Sequence, residues 1–192
     1  MNNKEHAKEY LTKRNYEMEI LHDDGVNRTL KFMHEKSHNG YFMITTWPGH
    51  LAISGDMGTY VFSRINDMID FFSGDGVNPG YWAEKVMAES KFGDGVSAFE
   101  ADYFITETKK YLTEYFTDAG TLDEESEEYF DQLDMIGDEY EAIAWVRGID
   151  LDGLEPSDIW VRDQYTFHYL FACYAINFAC NAYLSGKEEK AA

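Results

Sequence analysis

The chain has 192 residues, 44% hydrophobic and 16% aromatic, with 36 acidic against 16 basic side chains and a formal net charge of −20. Its fourteen Tyr and thirteen Phe supply enough core bulk to exclude a disordered chain in spite of that charge. The charge in turn argues against direct binding to nucleic acid or to an anionic membrane surface.

The N-terminal MNNKEHAKEYLTKR is polar, so no cleavable signal is expected and the chain reads as cytoplasmic. Residues 4–13 predict a short helix. From Tyr16 the period changes to two: Tyr16, Met18 and Ile20 alternate with Glu17 and Glu19, and a turn follows at Asp23-Asp24-Gly25. Further short runs follow over Thr29–Met33, Gly40–Trp47, Leu51–Ser54 and Thr59–Ser63, divided by turns such as Pro48-Gly49 and Gly55-Asp56-Met57-Gly58. This pattern predicts an antiparallel meander of about five strands.

After Arg64 the period is helical. Asn66 or Asp67 can cap a helix through Phe72, and Pro79 suits the first turn of another running through Tyr81–Ser90. A glycine loop at Phe92–Gly95 precedes a long helix from Ser97 to about Phe116; Asp123 opens a second, to about Val146. A final helix over about 164–184 is apolar nearly all round, interrupted by Thr166, His168, Asn177 and Asn181. Rich in Tyr, Cys and Ala, it predicts a helix buried at the domain centre rather than a membrane span. Cys173 and Cys180 on it lie about 10 Å apart along the axis, too far for a disulfide, so both read as reduced thiols. The expected fold is one α+β domain over 1–192, with a β-rich part at 1–65 and an acidic helical part at 66–192 on one sheet face.

The charge is lopsided. Residues 1–70 carry ten acidic and eight basic side chains, whereas residues 71–192 carry twenty-six and eight. No basic residue occurs between Lys110 and Arg147. Within that gap Glu127, Asp131, Asp134, Asp138 and Glu141 step by four, three, four and three, which places them on one face of a continuous helix. Tyr129, Leu133, Ile136, Tyr140 and Ile143 take the same steps on the opposite side. Gly137 is a point where such a helix can bend. With Glu124 and Glu128, these carboxylates form the expected partner-binding surface, a ladder that offers Lys and Arg an alternative to phosphate. Tyr103, Tyr111, Tyr115, Phe116 and Trp145 are aromatic candidates for the same interface.

Catalytic signals are weaker. His34-Glu35-Lys36-Ser37-His38 fits the H-E-x-x-H zinc pattern, but it falls between two strands where a helix is required, and Asn39-Gly40 ends any helix. A polar hairpin loop accounts for it. His50 and Asp56 flank the Leu51–Ser54 strand and could form an acid–base couple, although Gly-Asp-x-Gly is also what a tight turn requires. No phosphate loop, nucleophile elbow or EF-hand loop is present, and no metal or cofactor is expected.

The stretch WPGHLAISGDMGTYVFSRINDMIDFF resembles a family of uncharacterised phage and prophage proteins. The resemblance carries no activity and assigns no residue a role. It implies a phage setting, in which small acidic proteins often inhibit host defence, some as DNA mimics. The function expected is therefore a non-enzymatic, phage-encoded inhibitor in the bacterial cytoplasm. It would occupy a basic nucleic-acid channel, such as that of a CRISPR effector, without binding nucleic acid itself. The alternative is a small hydrolase or nucleotide-processing enzyme using His50 and Asp56; a phage structural component is a third.

Overall fold

The structure, a computed structural model, describes residues 3–90, 95–120 and 124–191, with the side chains of Glu124, Glu125, Lys190 and Ala191 outside the described set. The predicted loop residues Phe92, Gly93 and Asp94 and the predicted helix start at Asp123 lie outside the described residues. The fold is α+β, and the chain forms two compact units. One comprises residues up to Ser97 together with those from Tyr165; the other is Ala98–Gln164. The division does not follow the break expected at 65/66. Residues 66–97 stay with the sheet because they include its sixth strand, Val86–Glu89, and the last, apolar helix returns to complete its core.

In the first unit, α1 (Asn3–Thr12) precedes a meander of β1 (Tyr16–Asp24), β2 (Asn27–His34), β3 (Ser37–Trp47), β4 (His50–Gly55) and β5 (Gly58–Ser63). After α2 (Met68–Phe72) and α3 (Pro79–Ala83), β6 (Val86–Glu89) joins β5, giving a six-stranded antiparallel sheet in sequence order. The sequence predicted helix through Ser90. Instead α3 ends after five residues, because Val86–Glu89 completes the hydrogen bonding of β5 (Phe62 opposite Val86, Tyr60 opposite Glu89).

The period-two pattern aims Leu30, Phe32, Phe42, Ile44, Leu51, Ile53, Tyr60 and Phe62 to one face, all 3% exposed or less. The helix α7 (Phe167–Ala191) covers that face, contributing Tyr169, Phe171, Cys173, Ile176 and Cys180. It contacts β3 and β5, and also α1, α2 and α3, which explains why its sequence lacks a polar side. Its two asparagines hold backbone: Asn177 Nδ2 donates to Phe72 O (2.8 Å), and Asn181 exchanges hydrogen bonds with Gly74 (2.9 and 3.1 Å). Both cysteines are buried and free, and burial pushes the Cys173 thiol up to about 12. Among the described residues, no helix is long and apolar enough to cross a membrane.

A polar network ties the layers together. Arg28 on β2, 9% exposed, makes a bidentate pair with Asp67 (2.8 and 2.7 Å). Asp67 also accepts from Ile69 N (3.0 Å), capping α2. Arg28 Nε donates to the Tyr183 hydroxyl on α7 (3.0 Å), which donates to Asp23 on β1 (2.7 Å). The Arg28 hydrogen bonds hold the Asp67 carboxyl below its usual range; Asp23 is lowered too, first by Tyr183 and then by Lys187. Removing one partner of a buried pair costs about 3–5 kcal/mol, so Arg28→Met should lower the urea midpoint by that equivalent. Carboxylates with depressed pKa stabilise the fold above their ordinary pKa of about 4, and that stability is lost as pH falls through the folded values. Thermal melts between about pH 6 and pH 3 should therefore show a fall below about pH 4 that is shallower in Asp67→Asn; equal slopes would contradict the network.

A second stability feature lies at the β2–β3 hairpin, where His34 pairs with Ser37 around a two-residue turn. Both turn residues, Glu35 (φ 50°) and Lys36 (φ 58°), are left-handed, a conformation costing an L-residue about 1–2 kcal/mol and one for which Asn-Gly is suited. Glu35→Asn with Lys36→Gly should raise the melting temperature by several degrees, for a gain of about 1–2 kcal/mol. No change, or a fall, would mean that the turn is not left-handed at these residues.

Candidate functional site

The acidity concentrates in the second unit: residues 98–164 hold twenty acidic and four basic side chains, a net of −16, against −4 for the rest of the chain. The strands β7 (Ser97–Ala98) and β8 (Gln164–Tyr165) carry the chain out to this unit and back. It contains α4 (Ala101–Ala119), α5 (Glu124–Asp134) and α6 (Glu139–Gly148). They enclose a small core of Phe104, Leu112, Phe116, Leu133, Ile136, Ala142 and Val146, closed by Leu154 and Ile159 from the following loop.

The five-carboxylate ladder is not formed. The helix expected to run from Asp123 to Val146 is broken between Asp134 and Glu139. Asp138 leaves the helical register and becomes the N-cap of α6, accepting from Glu141 N (2.9 Å), while the Glu141 carboxylate accepts from Gly137 N (2.7 Å). Two local bonds thus replace the like-charge contacts of a continuous helix, at the glycine where the helix is weakest. The pattern Asp138-Glu139-Tyr140-Glu141 is a capping box in all but its last bond, and its signal was present in the sequence. Asp134 is paired with Lys109 of α4 (2.6 Å).

Glu127, Glu128 and Asp131 remain on one exposed side of α5. Among the described residues, Glu128 accepts from Gln132 (3.3 Å), and Glu127 and Asp131 make no hydrogen bond or ion pair. The side chain of Glu124 lies outside the described residues. The break also divides the apolar stripe: Leu133 and Ile136 are buried, but Tyr140 is 84% exposed.

The alternative couple does not assemble. His50 opens β4 and Asp56 follows its end, a separation of about 20 Å at roughly 3.3 Å per residue. His50 stacks on Trp47 (5.1 Å between centroids), with Nδ1 at 3.0 Å from Pro48 O. Asp56 accepts from Gly40 N (2.7 Å) and so fastens the β4–β5 turn to β3. Gly55 is required there, because a Cβ would stand 2.3 Å from Tyr41 O. His34 and His38 fall at the facing ends of β2 and β3, and no metal-binding cluster occurs among the described residues.

Of the aromatic candidates, Phe116 is core (1% exposed), and Tyr115 and Trp145 are hydrogen-bonded to Asp152 O and Gln132. Tyr103 and Tyr111 instead line a cavity of about 170 Å³ that sequence reading missed. Its other walls include Glu107, Asp158, Trp160 and Arg162. Trp160 and Arg162 are exposed with Ile159 buried, an alternation visible in the sequence S-D-I-W-V-R. The Tyr111 phenol is raised, first by burial and then by the charge of Asp158. No family model, no curated protein and no solved structure matches the chain.

Asp138→Ala removes the α6 cap and should destabilise the second unit by about 1 kcal/mol, read as a lower urea midpoint. A higher midpoint would show instead that relief of acidic repulsion outweighs the cap.

Proposed function

We propose that the second unit is a docking module for a basic protein surface. In this reading the chain is a non-catalytic, phage-encoded inhibitor that keeps a host nucleic-acid-binding complex, such as a CRISPR effector, from its nucleic acid. The observation that carries the proposal is the excess of twenty acidic over four basic residues in 98–164, with Glu127, Glu128 and Asp131 exposed on one side of α5. A basic groove selected for phosphate is attracted to any dense array of anions, and such attraction accelerates association and suppresses uncharged partners. Because Asp134, Asp138 and Glu141 are engaged locally, competition here rests on charge density rather than on copying the regular spacing of phosphates. An acid–base enzyme is not favoured, since His50 and Asp56 stand at opposite ends of one strand.

The test is capture of partners from nuclease-treated bacterial lysate by the wild type and by Glu127→Gln/Glu128→Gln/Asp131→Asn, each at about 0.05 and 0.5 M salt. Three exposed charges at about 0.5 kcal/mol each should weaken capture roughly tenfold at low salt. Added duplex DNA should displace the captured protein. The triple variant should fold at least as well as the wild type, since like charges three and four residues apart are removed. Salt-insensitive capture, undiminished in the variant, would sink the proposal.

A further inference from the structure

The cavity on the second unit has features that the acidic helices lack. It lies along α4 and is bounded on its other side by Asp158, Ile159, Trp160 and Arg162. Its volume of about 170 Å³ is below the roughly 300–1,000 Å³ typical of sites for nucleotides and other small-molecule cofactors. That size suits one long side chain. Four of its lining residues are aromatic, Tyr103, Phe104, Tyr111 and Trp160, and Trp160 is 71% exposed. A tryptophan left in water beside a cavity is a common anchor in protein recognition.

Two carboxylates, Glu107 and Asp158, stand at the same cavity. Asp158 accepts from Glu155 N (2.9 Å), while Glu107 makes no hydrogen bond or ion pair among the described residues. The chain itself demonstrates which chemistry the rings accept. The Arg162 guanidinium carbon lies 5.9 Å from the Tyr103 centroid and 5.8 Å from the Trp160 centroid, and Nη2 donates to the Tyr103 hydroxyl (3.0 Å). This is cation–π geometry. Against two carboxylates Arg162 leaves the cavity net negative.

We infer that this cavity receives a single arginine side chain from the basic partner, stacked on Trp160 and Tyr111 and held by Glu107 and Asp158. Arginine is preferred to lysine because its planar, weakly hydrated guanidinium stacks on aromatic faces as an ammonium cannot. The inference rests on the docking reading above and supplies what that reading lacks, a point of fixed geometry. Diffuse charge attracts a basic surface, and one keyed side chain sets its register.

The experiment follows the indole N–H of Trp160 in nitrogen-15 spectra of the full chain, identified by its loss in Trp160→Phe. The probes are Nα-acetyl-arginine amide, its lysine and citrulline counterparts, and adenosine. Arginine should shift that resonance with millimolar saturation, and the neutral, isosteric citrulline should bind at least tenfold more weakly. Trp160→Ala and Glu107→Gln, both at exposed positions, should weaken arginine roughly five- to tenfold. Equal binding of citrulline, preferential binding of adenosine, or shifts that ignore Trp160 would overturn the inference. Arginine binding should persist in Glu127→Gln/Glu128→Gln/Asp131→Asn. If that variant keeps full partner capture, the docking reading fails and the cavity stands; if arginine leaves Trp160 unmoved, the cavity fails and the docking reading stands.

Discussion

The first unit depends on one buried cation. Arg28 rises from β2 into a space bounded by α2 and α7, and its five donors need acceptors because burial removes water. Asp67 supplies two and Tyr183 one, and each has a second duty. Asp67 fixes the start of α2, and Tyr183 passes a hydrogen bond on to Asp23 of the edge strand. Sheet, cap and covering helix are thereby held in one relation that apolar packing alone, which lacks direction, leaves loose. Such a pair contributes little net energy compared with an apolar replacement of the same volume, but breaking it halfway is costly.

The second unit faces the opposite problem. Sixteen net negative charges over 67 residues oppose compaction, and its core is small. Part of the solution is to use carboxylates as backbone acceptors: Asp138 accepts from a first-turn N–H of α6, Glu141 from Gly137 N just ahead of that helix, and Asp158 closes a 3-10 turn. Another part is the Lys109–Asp134 bridge from α4 to α5. What is left over, Glu127, Glu128 and Asp131 on α5, is exposed. The same economy explains why a helix that looked continuous is divided, since a break with Asp138 capping α6 places fewer like charges in register than one unbroken helix.

The five-stranded meander was legible from alternation and turn residues alone, and α7 from being apolar nearly all round. The sixth strand was not, because Val86-Met87-Ala88-Glu89 has no period of its own and becomes a strand only where β5 offers unpaired backbone. The break at Gly137 was misread for another reason. A stepping pattern of carboxylates counts spacing but cannot weigh a cap against a continued turn, and the Asp138–Glu141 box wins by hydrogen bonds that the pattern ignores. The cavity was out of reach entirely: Tyr103, Glu107 and Tyr111 share one face of α4, but Trp160 is some fifty residues further on, and no local spacing joins them.

The insertion of the second unit between the sheet and α7 has a consequence during synthesis. The five meander strands are complete by Ser63, whereas the helix that covers their apolar face begins at Phe167. At a translation rate of about 5–20 residues per second, Phe32, Phe42, Ile44 and Phe62 wait on the order of ten seconds for their cover. For roughly the last two-thirds of that interval the chain being made is the strongly anionic 98–164, with twenty acidic and four basic side chains. Like charge of that density repels neighbouring nascent copies and so opposes association of their uncovered sheets.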